Sequence, residues 1–123
     1  MNAILQATSV YGSRAAPTRS TRDIEYQLFT RVTRDLHTAA GKGRAGFPEL
    51  ASALHENRTM WTALAADVAG SENQLPADLR AQIFYLAEFT EAHTRKVLRR
   101  EAGVRPLLEV NMAVMRGLAN TER

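Results

Sequence analysis

The sequence predicts an all-α fold, a small antiparallel bundle of four main helices. Apolar residues recur three and four positions apart over long stretches, and no useful length alternates with period two. Glycine and proline interrupt these stretches at only a few points, where short turns fit. The chain has 123 residues, 45% hydrophobic and 24% charged, which favours one globular domain.

The first long helix is predicted over residues 20–40. Ser20 and Asp23 have the spacing of a capping box. The apolar residues that follow share one face: Ile24, Leu28, Val32, Leu36 and Ala39. Three glycines in residues 41–46 then predict a loop. Residues 1–19 are predicted to be a flexible N-terminal arm, in which residues 2–11 are the candidate for a short helix.

The second helix is predicted over residues 48–69, with Pro48 at its first position and Gly70 as a left-handed terminator. Its apolar stripe contains Leu50, Leu54, Trp61, Leu64, Ala65 and Val68. Asn57 interrupts the centre of this stripe and Arg58 its edge. A polar group at the centre of a core face needs a hydrogen-bond partner, so Asn57 and Arg58 are predicted structural polar residues beside a core Trp61.

The third helix is predicted over residues 76–102, with a main stripe of Leu79, Ile83, Leu86 and Val97. Tyr85, Phe89 and Ala92 form a second stripe, spaced i, i+4, i+7. Two explanations fit this second stripe. The favoured one is a central helix that is buried on two sides, and the alternative is an open groove where a partner helix docks.

The fourth helix is predicted over residues 105–118, and residues 119–123 are assigned to a C-terminal tail. Leu107, Leu108, Val114, Met115 and Leu118 share its apolar face, and Asn111 lies at the centre of that face. Asn57 and Asn111 are therefore predicted to be buried and hydrogen-bonded. They either satisfy each other and fix the helix register, which is favoured, or hold a bound peptide.

The sequence lacks the residues that several kinds of functional site require. The absence of cysteine excludes disulfides, cysteine zinc sites and thiol nucleophiles. The three histidines fall on three predicted helices without metal-binding spacing, and no glycine-rich phosphate loop follows a strand. We therefore expect no enzyme, no catalytic residue, no cofactor and no metal. No apolar run approaches the ~18 residues of a membrane span, so no membrane association is expected.

The charge pattern gives little support to direct nucleic-acid binding. The net charge is +3, and the cations are spread along the chain between acids. Arg99 and Arg100 are adjacent at a predicted helix end, where cations favour the helix dipole.

Five short runs carry a family resemblance in their order and spacing. They are RDIEY (22–26), ALHENR (53–58) with Trp61, LP (75–76) with LRA (79–81), LAEF (86–89) with HT (93–94), and PLLEVN (106–111) with MRGL (115–118). On these runs the chain resembles the flagellar biosynthesis regulator FlaF family over about residues 22–118. The resemblance implies a cytoplasmic protein of alphaproteobacterial type that promotes flagellin production together with the FlbT regulator.

The expected function is that of a flagellin-binding chaperone for flagellin synthesis or export. The alternative is a post-transcriptional regulator of flagellin mRNA, acting directly or with FlbT, which is also a candidate partner. A structural subunit of the flagellar apparatus is less favoured, since the sequence has no heptads. The candidate partner-binding residues are Tyr85, Phe89, Ala92 and, in the arm, Tyr11.

Overall fold

The computed structural model describes the backbone of residues 19–121 and the side chains of residues 26–117. Within residues 19–121 the chain forms four α-helices and no strand: α1 (Arg19–Ala40), α2 (Phe47–Ala69), α3 (Ala77–Leu98) and α4 (Arg105–Thr121). The predicted all-α helical bundle is confirmed. The predictions for residues 1–18, which include the short helix and Tyr11, lie outside the described residues. Helix α4 continues to Thr121, three residues past its predicted end.

Helix α3 ends four residues earlier than predicted, and glycine does not end it. Arg100 adopts the left-handed conformation, with φ of 63°. Its N–H donates to the carbonyl oxygen of Val97 (2.9 Å), and the N–H of Glu101 donates to that of Lys96 (2.9 Å). These two bonds form a Schellman motif, which usually places glycine at the left-handed position. Placing the helix end at Ala102-Gly103 was therefore wrong.

The turn between α2 and α3 is organised by an asparagine. The prediction of a left-handed Gly70 was wrong, because Gly70 is extended, with φ of −75° and ψ of 145°. Instead, Nδ2 of Asn73 donates to Oδ2 of Asp67 (2.8 Å), and the N–H of Leu75 donates to Oδ1 of Asn73 (3.0 Å). Asp67 and Asn73 are both buried. The side chain of Asn73 therefore provides hydrogen bonds on both sides of the turn.

The connection between α1 and α2 is more regular than the predicted loop. Residues Gly43–Gly46 form a short 3₁₀ helix that leads directly into α2. Gly43 opens it with φ of 70°, a left-handed conformation that glycine adopts without steric cost.

The core consists of two apolar clusters along the bundle axis. One contains Phe29, Val32, Met60, Trp61, Leu64, Val68 and Ala87. The other contains Leu36, Ala39, Ala53, Leu54, Val97 and Leu107. The second cluster combines the carboxyl ends of α1 and α3 with the amino ends of α2 and α4, so successive helices run in opposite directions. Phe29 is fully buried, its ring packs edge-on against Trp61, and it was missing from the predicted stripe of α1.

A polar layer separates the two clusters. Each of the four helices contributes buried polar side chains to it: Thr33, Asn57, Thr90 with Thr94, and Asn111. Along each helix, these polar residues lie between positions that pack in the first cluster and positions that pack in the second. A buried polar side chain finds a hydrogen-bond partner only when the neighbouring helix places its own polar residue at the same level along the bundle axis. The layer therefore favours one register of the helices.

The buried face of α3 differs from its predicted main stripe. Ala87, Thr90, Thr94 and Val97 are buried, whereas Leu79 is 40% exposed because it lies in the first turn of the helix, beyond the core. The apolar pattern of the sequence does not include these threonines, because their side chains are polar. A short threonine side chain can be buried when its hydroxyl bonds to the preceding turn, as Oγ1 of Thr94 does to the carbonyl oxygen of Thr90 (2.6 Å).

Candidate functional site

A buried hydrogen-bond network joins α1, α2 and α4, and Asn111 lies at its centre. Oδ1 of Asn111 accepts from the indole Nε1 of Trp61 (2.8 Å). Nδ2 of Asn111 donates to Oδ1 of Asn57 (2.8 Å) and to Oγ1 of Thr33 (3.1 Å). Both asparagines have no exposed surface, so a bound peptide cannot reach them. The network corresponds to the first alternative from the sequence, in which the asparagines satisfy each other.

Two buried side-chain atoms of the polar layer have no hydrogen-bond partner within the described part of the chain. They are Nδ2 of Asn57 and Oγ1 of Thr90, on the facing helices α2 and α3. A buried polar atom without a partner costs about 1–3 kcal/mol. The polar layer is therefore less stabilising than an apolar layer of the same volume, which is consistent with a role in helix register.

Arg58 joins α2 to α3 through a bidentate ion pair. Its Nε donates to Oε1 of Glu91 (2.8 Å) and its Nη2 to Oε2 (2.7 Å). Nη2 of Arg95 also donates to Oε2 of Glu91 (3.1 Å). The hydrogen bond from Arg58 holds the pKa of Glu91 below its usual value, against an opposing effect of burial. The sequence indicated a polar role for Arg58 but could not identify its partner, which lies on another helix.

A shallow cleft of about 340 Å³ follows the outer seam between α2 and α3. It is lined by small, apolar and charged residues: Arg58, Trp61, Thr62, Ala65, Ala87, Glu88, Thr90, Glu91, Ala92 and Arg95. Both of its cations share Glu91, so the cleft offers an anionic ligand little unpaired positive charge. Within the described residues, no group of three or more histidine or acidic side chains is placed to bind a metal ion.

The outer side of α3 carries two adjacent exposed aromatic residues. Tyr85 is 67% exposed, and Phe84 beside it is 41% exposed. Phe89 is half-buried because its ring stacks on His93, with centroids 5.4 Å apart. Nε2 of His93 in turn donates to the carbonyl oxygen of Gly103 (2.8 Å), which ties α3 to the segment before α4. Because Tyr85 and Ala92 of the second stripe are exposed, the expectation that α3 is buried on two sides was wrong.

The candidate partner-binding residues lie in different surroundings. Tyr85 and Ala92 are exposed on α3, Phe89 has a packing role within the chain, and Tyr11 lies outside the described residues. Ala92 shares the cleft with Arg58 and Trp61. Phe84 was missed because it fits neither predicted stripe. An apolar residue that lies off the core-facing stripe of a helix faces solvent, so the position of Phe84 in the sequence already indicated that it is exposed.

Comparison with known proteins places the sequence in a family. The sequence model of the flagellar protein FlaF family matches residues 7–118, nearly the whole chain. The chain belongs to the FlaF family. The suspected resemblance is thereby confirmed, and this FlaF protein has a role connected with the flagellum. Curated proteins and solved structures provide no match to the chain. None of the helices in the described part of this FlaF protein has the length and hydropathy needed to span a membrane.

Proposed function

We propose that this FlaF protein is a cytoplasmic chaperone that binds flagellin and so promotes its synthesis or export. It acts by binding and carries out no catalysis. Flagellin polymerises through amphipathic helices at its ends, so unassembled flagellin needs those apolar faces covered. A helical bundle with an apolar outer surface can cover such a face by helix packing.

The observation that carries this proposal is the exposed apolar surface of α3. Phe84 and Tyr85 are adjacent and exposed on α3. Leu79 is exposed as well, but it lies in the first turn on the core-facing stripe and does not extend this aromatic pair. Single exposed apolar residues are common on protein surfaces, whereas contiguous ones are typical of an interface. Ala81 and Ala92 leave room on either side of Tyr85 for a partner helix to approach.

Tyr85 is the proposed anchor of the flagellin interface. An exposed tyrosine that becomes buried at the centre of an interface contributes much of the binding energy. Phe89 contributes less, because part of its ring is already covered by His93. A stable interface of this kind buries at least ~1,000 Å² in total. The arm, with Tyr11, is the proposed source of the rest of the contact area.

Calorimetric titration of the purified protein with monomeric flagellin tests the proposal. We expect a complex, and we expect Tyr85→Ala to weaken it by about tenfold or more. Tyr26→Ala is the matched control, because Tyr26 is an exposed tyrosine (37%) on α1. Circular dichroism establishes that both variants fold. Folded protein that forms no complex at tens of micromolar contradicts the chaperone function.

The same preparation distinguishes the alternative of a regulator acting on flagellin mRNA. Direct RNA binding weakens steeply as salt is added, because it releases counterions from the phosphates. Binding to the mRNA leader with that salt dependence, together with no binding to flagellin, replaces the chaperone proposal with the regulator.

A further inference from the structure

One end of the bundle is strongly basic. This basic end, residues 41–49 and 95–106, contains the α1–α2 and α3–α4 connections and the adjoining helix ends. It holds seven cations and two acids, a net charge of +5, whereas the whole chain carries +3. All seven cations are exposed: Lys42, Arg44, Arg95, Lys96, Arg99, Arg100 and Arg105. The rest of the chain is therefore net negative, and the charge is polarised along the bundle.

The fold brings together cations that are far apart in the sequence. The guanidinium group of Arg100 lies over the ring of Phe47, 4.4 Å from its centroid. This contact joins the α3–α4 connection to the start of α2. In the sequence these cations are dispersed, because Lys42 and Arg44 are more than fifty positions from the Arg99-Arg100 pair.

Helix stability does not explain all of these charges. Cations at the carboxyl end of a helix interact favourably with its dipole, which accounts for Arg95 and Lys96 in the last turn of α3. Arg44 and Arg105 lie instead at the amino ends of α2 and α4, where the dipole repels cations. The first turn of α4 contains no acid to compensate for Arg105.

Three of the seven cations have no ion-pair partner among the described residues. Lys42 pairs with Glu49, Arg99 with Glu101 and Arg95 with Glu91, whereas Arg100 covers Phe47. Arg44, Lys96 and Arg105 form no ion pair with the described part of the chain. Their charges are therefore available to an external anion.

We propose that the basic end binds an acidic protein segment, with several aspartate or glutamate residues close together. Five of the seven cations are arginines, whose planar groups bind carboxylates with two parallel hydrogen bonds. RNA fits less well, because unpaired bases stack on exposed aromatic rings. Phe47 is the one aromatic residue in these ranges, and Arg100 covers it. The site is distinct from the α3 surface and does not depend on flagellin binding.

Fluorescence anisotropy with a labelled oligoglutamate peptide tests this site in the full chain. We expect binding at low salt that weakens as salt screens the charges. The double variant Arg44→Gln/Arg105→Gln should weaken it about tenfold, since each exposed charge contributes modestly. The control Arg31→Gln/Arg34→Gln removes the same charge from exposed positions on α1 and should leave binding nearly unchanged.

Three outcomes overturn the proposal. Equal weakening in both double variants shows a general effect of net charge. Absence of peptide binding by the folded wild-type protein at low salt shows that the basic end is not a carboxylate site. Tighter binding of an oligouridylate with the same number of charges shows that the surface is a nucleic-acid site instead.

Discussion

At the scale of single residues, Asn111 decides how three helices meet. Its amide bonds to Trp61 and Asn57 on α2 and to Thr33 on α1. The residue is fully buried, so water cannot replace these partners if the amide is removed. The energetic consequence is larger than the loss of one hydrogen bond, because several buried groups lose their partner together.

We predict that Asn111→Ala lowers the free energy of unfolding by about 2–4 kcal/mol, through three lost bonds and the buried groups left unpaired. Urea denaturation followed by fluorescence measures this change, because Trp61 is the single tryptophan and is buried. The control is Met112→Ala, at the next position of α4, which is exposed. This substitution should lower the free energy of unfolding by less than about 0.5 kcal/mol. Equal effects of the two substitutions would contradict the role of the network.

Two buried or partly buried carboxylates give the stability opposite dependences on pH. Burial raises the pKa of Asp67, an effect larger than the opposing hydrogen bond from Asn73. The folded state therefore binds this proton more tightly than the unfolded state does. Stability from Asp67 is present below its unfolded pKa and is lost as pH rises through the raised folded pKa. Glu91 has a lowered pKa, so its contribution is present at neutral pH and is lost as pH falls.

We therefore predict that the free energy of unfolding of Asp67→Asn, relative to wild type, increases as pH rises from about 4 to 7. The amide oxygen can still accept the bond from Asn73 without carrying a charge. Glu91→Gln should show the reverse, with a loss of about 0.5–1 kcal/mol at neutral pH that shrinks in acid. Urea denaturation across this pH range measures both variants. A stability difference for Asp67→Asn that does not change with pH would show that Asp67 does not titrate differently on folding.

At the scale of helices, the connections carry the irregular features. Arg100 takes a left-handed backbone conformation that costs a residue with a Cβ roughly 1–2 kcal/mol. The contact of its side chain with Phe47 offsets part of this cost. The α3–α4 connection is thus held by a side chain at a position where backbone conformation alone favours glycine.

We predict that Arg100→Ala is less stable than Arg100→Gly by about 1 kcal/mol. Both substitutions remove the contact with Phe47, but only glycine relieves the left-handed backbone. Thermal melting by circular dichroism compares the two variants directly. If alanine is as stable as glycine here, the left-handed conformation at residue 100 is not the cause of the strain.

The sequence predicted the helices better than their ends. The apolar period identified α1 to α4, and the polar interruptions indicated Asn57 and Asn111, because both signals are local. The end of α3 at Arg100 was missed because the side chain at this position contacts Phe47, which is distant in sequence. The predicted end of α2 at residue 69 is correct, but the bond from Asn73 to Asp67 that organises the following turn was not foreseen. The partner of Arg58 and the convergence of cations at the basic end could not be read from spacing, since they join different helices.

At the scale of the whole molecule, the bundle presents two surfaces of different chemistry. The outer face of α3 exposes Tyr85, with Phe84 beside it, whereas the basic end carries a net charge of +5. The Arg58–Glu91 pair and the packing of Ala87 in the first cluster hold α3 against α2, so the exposed aromatic residues lie on a packed helix. A flagellin helix on α3 and an acidic segment at the basic end can bind at the same time only if neither covers the carboxyl end of α3.

Nitroxide labelling tests the proposed flagellin surface most directly, because the chain has no native cysteine. The label is placed at Ala92→Cys on the outer face of α3 and, as a control, at Ser52→Cys, an exposed position that lines the seam between α1 and α2. On addition of monomeric flagellin, we predict that electron paramagnetic resonance shows reduced mobility of the label at residue 92 and unchanged mobility at residue 52. A complex that forms while the label at residue 92 stays fully mobile, or folded protein that forms no complex, would contradict binding at α3.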